Sequence, residues 1–304
     1  MEKFEVTILG CGSALPTLRH FPTSQIINIR EKLFMIDCGE GTQLQIRKNK
    51  FKFTKINHIF ISHLHGDHMF GLIGLISTMN LLGRTSTLHI YAPKDLESLL
   101  RPHLDYFCNG IMYNIEIHSV NTKESSLIYE DRSVEIYTIP LKHRIQCCGF
   151  IFKEKPTLPH IKSDMIDYYN IPRCQINNIK AGMDYITPDG QVVESAVLTT
   201  PPPPVRSYAY CSDTIFLPQN AELLQNVDLL YHEATFCKED ENLCKSTFHS
   251  TAEQAATMAK LSNAKKLIVG HFSSRYENEN ILLEEAKNVF SNTVLANEKM
   301  TITI

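Results

Sequence analysis

Ser62-His63-Leu64-His65-Gly66-Asp67-His68 is the stretch on which the reading of this chain turns. It follows Ile56-Asn57-His58-Ile59-Phe60-Ile61, which reads as a buried strand, and precedes an apolar helical run from Met69 to Leu82. His63 and His65 are two apart, so in extended geometry their imidazoles point to the same side. Asp67 and His68 follow in the turn and can face a second position. Two nitrogen ligands beside a carboxylate–histidine pair suit two adjacent borderline-soft cations, with zinc the first choice.

Three more ligand-type residues stand at the ends of apolar runs. His143 follows Val134-Glu135-Ile136-Tyr137-Thr138-Ile139-Pro140, Asp213 follows Tyr208-Ala209-Tyr210-Cys211, and His271 follows Leu267-Ile268-Val269-Gly270. In sheets covered by helices, the C-terminal strand edge is where sites collect. Outward from this set the pattern alternates short strands with helices, beginning with Val6 to Gly10, Gln25 to Ile29 and Leu33 to Asp37, then a helix over Gly41 to Asn49. Further strands are predicted at 87–91, 113–119, 134–140, 147–152, 206–212, 227–231 and 266–270, with helices near 250–262 and 278–290. That order gives an α/β fold of mixed sheets under helices.

One stretch breaks the rhythm. From about residue 153 to 204 the chain carries Pro156, Pro159, Pro172, Pro188 and the run Pro201 to Pro204. Prolines at that density stop ladders and helices from continuing, and a connection of this length is functional or disordered. The expectation is a single domain over residues 1–304 with an arm at about 153–204, a short helix near Ser163 to Tyr169, and the proline run as a stiff return.

With 304 residues and 43% hydrophobic content, the chain can bury a full core. The nine cysteines form no Cys-x-x-Cys pair, which argues against a disulfide framework and for reduced thiols. Met1 to Val6 lacks the features of a signal peptide, and no run nears the roughly 20 apolar residues of a membrane span. A soluble cytoplasmic protein with no membrane partner is expected. The formal net charge of −3 points to no nucleic acid globally, so such a partner needs local patches.

The His-x-His-x-Asp-His run with His143, Asp213 and His271 resembles the metallo-β-lactamase superfamily over nearly the whole chain. The resemblance implies a four-layer αββα fold carrying the projecting arm, with His63, His65 and His143 on one zinc, Asp67, His68 and His271 on the other, and Asp213 bridging. Two zinc ions per chain, or manganese in their place, are implied. Within the superfamily, Gly10-Cys11-Gly12-Ser13-Ala14-Leu15-Pro16-Thr17, Asp37-Cys38-Gly39-Glu40-Gly41-Thr42-Gln43, His232-Glu233-Ala234-Thr235-Phe236 and His249-Ser250-Thr251-Ala252 resemble the ribonuclease Z family of short form. That family matures the 3′ end of precursor tRNA, as a homodimer whose arm grips the tRNA. It implies His249 as the general acid, oriented by Glu233, alongside Asp67 in the catalytic set. Chemically, a carboxylate beside a histidine raises its pKa. Ser250 reads as the cap of the next helix with Glu253 in its first turn. His232 ends a strand and reads as either a site residue or a structural orienting one; His58 and His89 read as satisfied core or surface residues, and His20 has no independent support.

The family's arm carries a Gly-Pro motif where this chain has Cys174-Gln175. Lys153 to Asp184 holds five basic and four acidic residues, a balance of only +1, with Arg173 and Lys180 the arm's candidate tRNA contacts. A stronger candidate is Arg47-Lys48-Asn49-Lys50-Phe51-Lys52-Phe53-Thr54-Lys55, in which Arg47, Lys48, Lys50, Lys52 and Lys55 carry five positive charges and no acid intervenes; such a patch positions RNA without reading it. The alternatives are a small-molecule phosphodiesterase, arylsulfatase or thioester hydrolase, which needs no arm, and an RNA-binding relative without catalysis, which would lack a ligand or the acid.

Overall fold

The computed structural model describes residues 2–304. The chain forms two compact units: Glu2–Lys153 with Arg206–Ile304, and Glu154–Val205.

The larger unit is built on two seven-stranded sheets. The first runs in the order Thr301–Thr303, Phe4–Gly10, Ser24–Ile29, Lys32–Ile36, Ile56–Phe60, Leu88–Ala92, Ile115–Ser119, antiparallel over the first four strands and parallel thereafter. The second runs Thr293–Leu295, Lys266–Gly270, Leu229–Glu233, Ser207–Cys211, Cys148–Glu154, Val134–Pro140, Leu127–Glu130, with its first four strands parallel. The inner faces are strongly aromatic: Phe60 meets Phe150 and Phe152 with ring centroids 5.5 and 5.6 Å apart, both edge-on.

Helices cover both outer faces. On the first sheet, Gly71–Leu81 buries Leu72, Leu75, Ile76 and Met79, a stripe at helical spacing. On the second, Ala252–Leu261 presents Ala255, Ala256 and Ala259, whose small side chains let the helix approach closely. The layers are αββα, as the sequence resemblance implied. Among the described residues, no helix is long and apolar enough to cross a membrane.

The sequence pattern missed the helix Leu96–Phe107, which holds Pro102 in its interior; the buried stripe Leu96, Leu100, Leu104 offsets the lost hydrogen bond. It also ran the segment after His68 together as one helix, where the structure has Gly66–Met69 and then Gly71–Leu81. Asp67 and His68 therefore sit on a first helical turn and not in an open turn.

The smaller unit has its own core of Ile171, Ile179, Tyr185, Val193 and Leu198. Two short ladders, His160–Ile161 with Thr199–Thr200 and Tyr185–Ile186 with Val192–Val193, accompany helices Ser163–Tyr168, Arg173–Lys180 and Ser195–Leu198. The second of these helices was not anticipated, and Cys174-Gln175 form part of its first turn.

Candidate metal centre

The ligand-type residues are delivered by strand ends or the turns beyond them, except Asp67 and His68, which the short helix Gly66–Met69 carries. His63 and His65 follow Ile56–Phe60, Asp213 follows Ser207–Cys211, and His271 follows Lys266–Gly270 with φ +62°. For a non-glycine residue this is strained backbone, of the kind that persists where surrounding structure dictates it.

Two clusters result. In the first, His65 Nδ1 lies 3.1 Å from His63 Nε2 and 3.2 Å from His143 Nε2, with Asp213 Oδ2 3.6 Å from His63. In the second, His68 Nε2 and His271 Nε2 lie 3.4 and 3.5 Å from Asp67 Oδ2, and 3.4 and 3.2 Å from Asp213 Oδ1. Asp213 thus offers one oxygen to each cluster.

The opposite nitrogens are held by the protein. His68 Nδ1 is 2.8 Å from Asp37 Oδ2, His271 Nδ1 2.9 Å from Thr235 Oγ1, His143 Nδ1 donates to Phe248 O at 2.8 Å, and His63 Nδ1 is 3.1 Å from Ser62 Oγ. Such outer contacts fix ring orientation and tautomer.

A divalent cation fits this donor set. His68 Nε2, His271 Nε2 and Asp213 Oδ1 are buried without hydrogen-bond partners, a costly state that ligation relieves. Burial also pushes His63, His65 and His143 below the ordinary histidine value, so they are neutral and their lone pairs are available. His68 goes the other way: burial opposes its charge, but Asp213, Asp67 and Asp37 demand a cation among them and raise it. A metal ion supplies that charge instead.

Beside the clusters, Glu233 Oε1 lies 2.9 Å from His249 Nδ1. Glu233 is fully buried, and both its oxygens are engaged: Oε1 also accepts from the backbone of Thr214 and Ser250, Oε2 from the backbone and hydroxyl of Thr235. With its lone pairs so used, it orients His249. Burial alone would lower the His249 pKa, but the Glu233 charge and hydrogen bond outweigh it and raise the value to about 9. The ring stacks on His271 with centroids 5.3 Å apart and lines an open cleft of about 650 Å³. The cleft is also bounded by Leu15, Pro16, Phe70, Arg144 and Phe236, together with His65, Asp67, His143, Asp213 and His271.

A ribonuclease Z from Bacteroides fragilis is 57% identical over 304 residues, covering the whole of both chains. The chain belongs to the ribonuclease Z family. Residues 4–166 also match the family model described as anti-Pycsar protein Apyc1, over half of the chain, and the chain falls within that family as well. That match ends before Asp213, Glu233, His249 and His271, so the full-length ribonuclease Z relationship is the more informative. Among solved structures, human tRNase Z, short form (ELAC1), superposes with TM-score 0.71 at 27% identity, covering 99% of each chain. The metallo-β-lactamase fold protein YhfI from Bacillus subtilis superposes with TM-score 0.69 at 16% identity over the whole of both chains, which bears on the fold alone.

The ribonuclease Z-like segments explain contacts that residue-by-residue reading did not assign. In the sequence Asp37 stands only as the first residue of the Asp37–Gln43 motif. Here it is fully buried with φ +55°, accepts from Ser62 N, Ser62 Oγ and Tyr210 Oη, and faces His68. Gly39 is required two residues on, because any side chain there would collide with the Asp67 carbonyl oxygen. Thr235 likewise tethers His271 and approaches His249 Nδ1 at 3.3 Å. Only the motif's carboxylate and hydroxyl hinted at either role.

Other expectations resolve individually. His232 is buried, with Nδ1 2.7 Å from the Glu233 carbonyl, an orienting contact away from the cleft. His20 lies against Glu298 and Glu279 and does not line the cleft. His58 is less satisfied than expected, since its Nδ1 is buried without a partner. The helix cap is Thr251, one residue later than read: its hydroxyl accepts from Gln254 N while the Gln254 side chain takes Thr251 N, leaving Ser250 Oγ to donate to Thr214 O.

Arg47, Lys48, Lys50, Lys52 and Lys55 are all exposed, the first two closing the helix Thr42–Lys48. The interleaved aromatics turn inward instead: Phe53 is in the core and Phe51 packs against it. Lys48 Nζ sits 4.9 Å over the ring of Phe21, next to the cleft residue Pro22. In the smaller unit, Arg173 is exposed at the start of its helix and Lys180 half-buried at the end.

Proposed function

We propose that the chain is a phosphodiester hydrolase that removes the 3′ trailer from precursor tRNA, leaving a 3′-hydroxyl on the tRNA and a 5′-phosphate on the trailer. The observation that carries this is the division of Asp213's two oxygens between two ligand clusters beside the hydrogen-bonded Glu233–His249 pair. His63, His65 and His143 would hold one zinc ion, Asp67, His68 and His271 a second, with Asp213 shared; manganese is the alternative metal. When bound, two such cations supply Lewis acidity and a water of lowered pKa.

The chain's own residues do the rest. Glu233 accepts a hydrogen bond from His249 Nδ1–H, which leaves Nε2–H to deliver its proton to the departing 3′ oxygen. Asp37, Thr235, Ser62 and the Phe248 carbonyl hold the ligand rings in register, and Asp67 completes the catalytic set. The exposed Arg47, Lys48, Lys50, Lys52 and Lys55 would take the RNA backbone, with Arg173 and Lys180 adding contacts from the arm.

The proton assignment gives a test in pH. Because the Glu233 anion raises His249, Glu233→Gln should move the alkaline limb of kcat to lower pH, toward or under the ordinary histidine value. Cleavage at pH 8 then falls far more than cleavage at pH 6. An unmoved limb would assign it to another group.

The segment Glu154–Val205, read as a tRNA-gripping arm inserted in a single domain, separates this function from small-molecule hydrolysis. Replacing residues 156–200 by a Gly/Ser linker should weaken precursor tRNA binding and lower kcat/KM, because remote contacts position the reacting phosphate. Hydrolysis of a small phosphodiester should persist. Equal loss of both would make the segment part of the catalytic fold, and unchanged tRNA cleavage would remove it as a binding device. A homodimer working in the cytoplasm completes the proposal, by resemblance to the family; sedimentation of the purified chain tests the dimer.

A further inference from the structure

On the first sheet, away from the cleft ligands, strands Leu88–Ala92 and Ile115–Ser119 pair in parallel with His89 opposite Glu116 and Tyr91 opposite His118. Glu116 and His118 are two apart and so share a face with His89. His89 Nδ1 is 3.1 Å from His118 Nε2 and 3.2 Å from Glu116 Oε2, and His118 Nε2 is 3.8 Å from the same oxygen. We propose that His89, Glu116 and His118 form a further metal site, open to solvent, for a divalent transition cation, with zinc first.

The spacing carries the argument. Zinc bonds of ~2.0–2.1 Å at tetrahedral angles put neighbouring donor atoms about 3.3 Å apart, and the three separations here bracket that value. The imidazole nitrogens stand at 3.1 Å, the same spacing as His63 and His65 in the cleft. The rings are pinned from both sides: His58 stacks on His89 with centroids 5.1 Å apart and planes 12° apart, and Tyr91 on His118 at 4.6 Å and 19°. The side chains are 29%, 46% and 39% exposed, so a cation can enter and keep water on its remaining positions. Two imidazoles and a carboxylate favour zinc, copper or nickel over magnesium or calcium. Ion binding would tie the sheet's edge strand to its neighbour, a role separate from phosphodiester cleavage.

The test is a difference measurement, independent of how many ions the cleft holds. Wild type, His118→Ala and His89→Ala are stripped with chelator, reloaded with zinc alone, desalted and analysed for zinc per chain, with circular dichroism and Tm recorded on each. Wild type should retain one equivalent more than either variant, zinc should raise its Tm by an increment the variants lack, and precursor tRNA cleavage should be equal in all three. Should an alanine variant fail to fold, the exposed Glu116→Gln takes its place, with at least a tenfold weaker affinity for the additional zinc expected. Equal zinc content and equal Tm response in folded wild type and variants would overturn the proposal and leave the trio a hydrogen-bonded surface cluster.

Discussion

Asp213→Ala will reduce precursor tRNA cleavage to background and release metal at the same time. Asp213 is buried and has one oxygen within 3.2–3.4 Å of His68 and His271 and the other 3.6 Å from His63. Removing it leaves five imidazoles converging with Asp67 as the single carboxylate among them. Burial resists the Asp213 charge, yet His271 and His68 hold its carboxyl well below the usual range, so it is the anion that neutralises both clusters. A site that depends on two cations for Lewis acidity loses several kcal/mol of transition-state stabilisation without them. Metal analysis of the purified variant should find fewer ions per chain than the two expected of wild type, and Asp213→Asn should behave alike, since an amide keeps the shape but not the charge. Full metal content with full activity in Asp213→Ala would remove the bridge from the mechanism.

His249→Ala should show the opposite separation. Its Nδ1 is occupied by Glu233 and its ring rests on His271 without entering either ligand cluster, so the metal content should stay at the wild-type level. Turnover should fall by roughly 10²–10⁴-fold, the usual worth of a positioned general acid. The loss should shrink for a substrate whose leaving oxygen is a good leaving group, such as a nitrophenyl phosphodiester, because departure then needs little proton assistance. A variant that instead loses metal would make His249 a ligand. Equal losses on both substrates would make it a positioning residue.

Much of this site was legible because its residues lie where the chain changes period. His63, His65, Asp213 and His271 each end an apolar run, and a strand's C-terminal edge is set by its hydrophobic pattern before any packing is known. Asp37 was not legible in its role: its partners are Ser62 and His68 from one stretch and Tyr210 from a distant strand, and only the folded sheets bring them together. Thr251 was displaced by Ser250 as the cap because both residues have capping chemistry, and the Gln254 reciprocal bond that decides between them is visible only in the structure. Pro102 concealed the helix Leu96–Phe107, since tertiary burial of its apolar stripe outweighed a local breaker. His118 passed unnoticed because its meaning depends on strand register: alone it is a polar position on an alternating strand, and only the pairing with Leu88–Ala92 sets it beside His89.

Removal of the 3′ trailer is most directly tested by incubating the purified, zinc-loaded chain with a precursor tRNA and mapping both product ends. A single cut after the discriminator nucleotide is expected, with a 3′-hydroxyl on the tRNA and a 5′-phosphate on the trailer. An intact precursor under conditions where the same preparation hydrolyses a small phosphodiester would contradict it.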